Sequence, residues 1–74
     1  MKREKLIKFR NGKSQKEMAK RYGVTQQIWS RWETGVRTPR IENMKRLEDD
    51  IGIPMEVIFA DVFNKPNYKQ ADWN

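Results

Sequence analysis

The residues from Gln15 to Thr34 restrict the fold of this chain more than any other stretch, because small, glycine and apolar residues recur there at the intervals of two helices meeting at a sharp turn. Ala19, at the fifth place, lets two crossing helices approach closely. Gly23, at the ninth, supplies the left-handed backbone conformation that a tight turn needs. Met18, Tyr22, Val24, Trp29 and Trp32 fall at spacings that give each helix one apolar stripe, with Val24 tucked between them. The remaining places are polar and free to face a ligand. They are most polar at Thr25-Gln26-Gln27, where the threonine is an N-cap residue and two amides project from the first turn, a placement that suits base edges.

Composition narrows the ligand. A chain of 74 residues is one domain, near the lower limit of what a hydrophobic core alone stabilises, and a binding module is the default reading. The net charge of +6 is unevenly placed. Residues 1–40 hold twelve basic and three acidic side chains, whereas 41–74 hold four and seven. One pole is therefore cationic, as a phosphate-binding face requires, although a merely solvated basic surface has the same count. Without cysteine or histidine there are no disulfides, no thiol chemistry and none of the usual zinc sites, so neither a metal nor another cofactor is expected. No apolar run approaches the length of a bilayer span, and the charged start Met1-Lys2-Arg3-Glu4-Lys5 has no signal-peptide core after it, so a cytoplasmic protein is expected.

Five helices are predicted, an all-α domain over residues 1–63 with an irregular tail over 64–74. The first, Lys2 to Arg10, carries Leu6, Ile7 and Phe9 and stops at Asn11-Gly12. Ser14 with Glu17 three residues on is a capping box for the second, which runs to about Tyr22. The third spans about Thr25 to Glu33 and ends at Gly35. A basic loop, Val36-Arg37-Thr38-Pro39-Arg40, leads to the fourth, Ile41 to about Asp50, with Ile41, Met44, Leu47 and Ile51 at helical spacing. Pro54 opens a short fifth, from Met55 to about Phe59 or Val62, which adds Met55, Ile58 and Phe59 to the core.

The order of these elements resembles the Xre/Cro/C1-type helix-turn-helix family, the lambda-repressor-like fold of phage repressors and many bacterial, plasmid and prophage regulators. The resemblance covers residues 6–59. It is carried by Ser14-Gln15-Lys16-Glu17-Met18-Ala19, by Tyr22-Gly23-Val24-Thr25-Gln26-Gln27, and by Ser30-Arg31-Trp32-Glu33-Thr34-Gly35 with Pro39 after it. It implies double-stranded DNA as partner, with Gln26, Gln27 and Arg31 on the major-groove side of the third helix, glutamine suited to adenine and arginine to guanine. Ile28 beside them is either half buried or in contact with a thymine methyl. Gln15 is implied as a phosphate donor, with Lys13, Lys16, Arg37, Thr38 and Arg40 on the flanks and Thr25 if its hydroxyl is not used in capping. Glu33 would be repelled by phosphate; the resemblance pairs it with an arginine of the first helix, Arg10, whose alternative is a phosphate contact of its own. The link from Phe9 to Ser14 is shorter than usual for the family. Trp29 replaces a smaller aliphatic residue, either to fill the core or to stack on a sugar.

These residues imply a sequence-specific transcriptional regulator that occupies an operator, not an enzyme, since no nucleophile has a base beside it. Such a domain reads about one half-site, which implies a homodimer on a palindromic site. Val57, Phe59, Val62 and Phe63 form the candidate dimer surface, or else close the core. The alternative is a protein-interaction module of the same fold, an antirepressor or antitoxin, whose partner engages the acidic C-terminal half. The cell in question is bacterial or phage-infected, and the protein is expected on its nucleoid.

Overall fold

The computed structural model describes residues 2–64, which form six helices and no strand: α1 (Glu4–Phe9), α2 (Gln15–Arg21), α3 (Gln26–Thr34), α4 (Ile41–Ile51), α5 (Met55–Ile58) and α6 (Ala60–Phe63). The tail beyond Asn64 lies outside the described residues.

Each boundary has a local cause. The Ser14 hydroxyl accepts from the Glu17 N–H at 3.0 Å and starts α2. Its end is a Schellman motif: the Val24 N–H reaches back to the Ala19 carbonyl (3.0 Å) and the Gly23 N–H to that of Lys20 (3.3 Å). That arrangement holds Gly23 at φ 68°, in the left-handed region. Thr25 then caps α3 by accepting from the Ile28 N–H at 3.2 Å.

The core gathers Leu6 from α1, Met18, Ala19 and Tyr22 from α2 and its cap, Trp29 and Trp32 from α3, Met44 and Leu47 from α4, and Ile58 and Phe59 from the C-terminal end. Three aromatic rings occupy the angle between α2 and α3. Trp29 lies 5.5 Å from Tyr22 and 5.6 Å from Trp32, both tilted, the arrangement favoured by ring quadrupoles. α4 is tied on by polar contacts at the rim: Arg46 lies 4.4 Å over the Tyr22 ring and donates to the Arg21 carbonyl (2.7 Å), and the Tyr22 hydroxyl donates to Asp50 (2.6 Å). Burial, and then the bond to Asp50, pushes the Tyr22 hydroxyl far above its ordinary pKa.

Three expectations need correction. The fifth helix is two single turns, α5 and α6, because the backbone breaks at Phe59 (φ −111°, ψ 41°). The break turns Phe59 wholly inward, which removes it from the candidate dimer surface; Val57 is 47% exposed, and Val62 and Phe63 are half-buried. Ile41, at the first position of α4, is 58% exposed, since the core surface begins one turn later at Met44.

At the other end of α4, the Glu48 carboxylate accepts from the Met55 N–H (2.8 Å) and so caps α5, with Lys45 beside it at 3.1 Å. The Met55 N–H, and then Lys45, hold its pKa below the ordinary glutamate value. A carboxylate lowered on folding stabilises the fold above its unfolded pKa of about 4.3, and this contribution is lost as the pH falls through the lowered folded value. The urea midpoint of Glu48→Gln is therefore expected to fall less on acidification below about pH 4 than that of the wild type. Gly23→Ala, which puts a side chain on a left-handed backbone, is expected to cost about 1–2 kcal/mol in the same measurement.

Candidate nucleic-acid interface

The nine residues of α3 divide into two faces. Trp29, Trp32 and Glu33 point inward and are buried, while Gln26, Gln27 and Arg31 are exposed. With Gln15 from the start of α2 and Ser30, the three exposed residues line an open depression of about 420 Å³. Four residues predicted from sequence are thus brought together by the crossing of α2 and α3. Ser30 was not foreseen, and its signal was its place on α3 between Gln27 and Arg31. Ile28 is half-buried against the core.

Beneath this face lies a buried carboxylate. Glu33 accepts from the Gln15 amide at 2.8 Å through one oxygen and from the Trp29 indole N–H at 2.7 Å through the other. The Arg10 guanidinium completes the cage. Its Nη2 donates to Glu33 at 3.4 Å, and its Nε lies 2.7 Å from the second oxygen, a close approach of charges rather than an aligned hydrogen bond. A fully desolvated carboxylate is tolerable only with such donors around it. Trp29 is accordingly a core residue with a polar duty, and its ring is inaccessible to a sugar.

Several residues expected at phosphate have other partners. Arg10 is spent on Glu33 and on the Lys13 carbonyl (3.5 Å). The Thr25 hydroxyl caps α3. The Gln15 amide already donates to Glu33, which fixes its direction at the edge of the depression. The Thr38 hydroxyl accepts from Arg3 at 3.0 Å. Lys16, Arg37 and Arg40 are exposed, and Lys13 is half-buried.

Arg3 was missed altogether. It is only 4% exposed, forms a bidentate pair with Asp61 (3.0 and 2.9 Å), and lies 4.9 Å over the Phe59 ring. No local pattern reveals it, because its partners stand 29 to 58 residues away.

A helix-turn-helix family model matches residues 3–58, three quarters of the chain. The chain belongs to the Xre/Cro/C1-type helix-turn-helix family. It is thus a DNA-binding helix-turn-helix regulator, from a family that is generally non-enzymatic. Neither the curated proteins nor the solved structures compared with it include a match. Among the described residues, no helix is long and apolar enough to cross a membrane.

Removing the buried carboxylate strands Arg10, Gln15 and Trp29 together. Glu33→Ala is expected to cost about 3 kcal/mol in urea denaturation, the low end for a broken buried pair because Arg10 keeps 27% of its side chain in solvent.

Proposed function

We propose that this regulator is a sequence-specific repressor of the phage or mobile-element type that occupies an operator with α3 in the major groove. The observation that carries the reading is the single depression that Gln15, Gln26, Gln27, Ser30 and Arg31 share on the cationic half of the chain. Glutamine amides and an arginine fork are the side chains that read adenine and guanine edges in pairs of hydrogen bonds. In this reading Gln26, Gln27 and Arg31 read bases, with Ile28 at their margin. Lys13, Lys16, Arg37 and Arg40 hold phosphates, and Gln15, its amide aimed by Glu33, sets the register.

The protein acts as a two-fold dimer on a palindromic site, since one recognition helix spans only about one half-site. Val57, the most exposed apolar side chain of the C-terminal turns, with Val62 and Phe63 beside it, is the proposed contact between copies.

Selection from a randomised duplex pool returns the site and its symmetry together. On the selected site, Gln26→Ala and Arg31→Ala are each expected to cost ~1–3 kcal/mol and to relax specificity at one position. Arg37→Ala is expected to weaken all sequences alike and to reduce the salt slope by about 1. A protein that binds selected and random duplexes equally at every salt concentration overturns operator recognition.

A further inference from the structure

The loop between α3 and α4 carries Arg37 and Arg40 and is tied at both ends. The Arg37 N–H donates to the Arg31 carbonyl (3.1 Å). At its far end Pro39 is buried and the Arg40 carbonyl accepts from the Met44 N–H (2.9 Å), while the Arg37 carbonyl and the Thr38 hydroxyl between are held by Arg3. A guanidinium has five N–H donors, and all five of Arg3's are used. Nε and one Nη2 hydrogen take the two Asp61 oxygens, Nη1 donates to the carbonyls of Trp32 (3.0 Å) and Arg37 (2.8 Å), and the second Nη2 hydrogen goes to the Thr38 hydroxyl (3.0 Å). The backbone of Arg3 joins in, its N–H donating to the Glu33 carbonyl at 2.6 Å.

This is more order than charge neutralisation requires. Asp61 alone balances the guanidinium; the other three acceptors all belong to the end of α3 and the loop after it. A side chain buried to this degree, held from behind by Asp61 and stacked on Phe59, is a fixed template against which residues 37 and 38 are shaped. With the Arg37 carbonyl turned in toward Arg3, the Arg37 side chain is left exposed on the cationic half.

We infer that Arg3 is a positioning residue for DNA binding: clamped by Asp61, it sets the loop conformation in which Arg37 meets the phosphate backbone. The inference rests on the DNA-binding reading of that loop and assigns the N-terminal arm and α6, neither of which faces the depression, a share in affinity. A lysine at position 3 keeps the charge opposite Asp61 but has three donors on a single nitrogen and no planar fork, so it cannot serve all the acceptors.

The test is a double-mutant cycle in the full chain, measured by salt-dependent binding to the selected duplex, with circular dichroism and urea denaturation as the check of folding. Arg3→Lys that stays folded is expected to lose about 1 from the salt slope. Arg37→Ala is then expected to add little in the Arg3→Lys background, while Lys16→Ala costs the same in both backgrounds. Asp61→Asn, which weakens the hold on the Arg3 guanidinium and leaves Arg3 itself in place, is expected to repeat the pattern more weakly, and it takes the place of Arg3→Lys if that variant does not fold. Amide hydrogen exchange is expected to quicken at residues 36–38 in both variants. A folded Arg3→Lys or Asp61→Asn protein with wild-type salt slope and the full Arg37→Ala penalty overturns the inference. A wild-type protein that binds no duplex overturns the DNA reading instead, and unchanged exchange at residues 36–38 in the variants then overturns the positioning role by itself.

Discussion

The carboxylate of Glu33 is the constraint on which the rest of the domain is built. It sits near the end of α3 with its charge out of water, and three side chains from three helices converge on it: Arg10 from the end of α1, Gln15 from the start of α2, and Trp29 from α3 itself. Burying a charge is unfavourable unless its lone pairs are met, so the position of each donor is specified once that of Glu33 is. Apolar packing between α2 and α3 would tolerate small rotations of one helix against the other; the bonds from Gln15 and Trp29 do not, because each needs its own distance and direction. The hydrophobic core provides most of the driving force, and the caged carboxylate selects one crossing geometry.

A second cage, around Arg3, answers the first with opposite charge. The two meet at the same short segment, since the Glu33 backbone carbonyl accepts from Arg3 while its side chain accepts from Arg10. Both ends of α1 are in this way fastened to the C-terminal half of α3. The division of labour within the nine residues of α3 is nearly complete: the inward residues carry packing and buried charge, and the outward Gln26, Gln27 and Arg31 carry polar side chains that form no hydrogen bond or ion pair among the described residues.

How much of this was legible in the sequence follows from the range of the forces involved. Ala19, Gly23, Ser14 and Thr25 act on their immediate neighbours through sterics and capping, and they placed the helix pair to within a residue or so. The Glu33–Arg10 pair came only from family resemblance, because a span of 23 residues has no local signature. Trp29 and Glu33 stand four apart on one helix, a spacing at which an indole N–H and a carboxylate meet, so their bond could have been anticipated. Arg3 could not. Among the basic residues of the N-terminus it reads as surface charge, and only the return of Asp61 from the far end of the chain makes burial tolerable. The break at Phe59 was hidden for the same reason, since the helical spacing of residues 55–62 puts Phe59 in the core but does not reveal that the backbone turns there and brings Asp61 to Arg3.

The pairing of Arg3 with Asp61 also bears on the order of assembly. Most of this domain is made from near neighbours: helices of four to eleven residues, and a tight turn that joins α2 to α3. A newly synthesised chain has the whole helix-turn-helix unit in hand by residue 34, but Arg3 waits until residue 61 has left the ribosome before its guanidinium is satisfied. Until then Arg3, which joins the arm, the loop after α3 and the Phe59 ring, lacks the carboxylate that balances its charge. The pair is therefore a late closure: it spans 58 residues, the longest separation among the side-chain bonds described above, and so closes the loop that costs most to close.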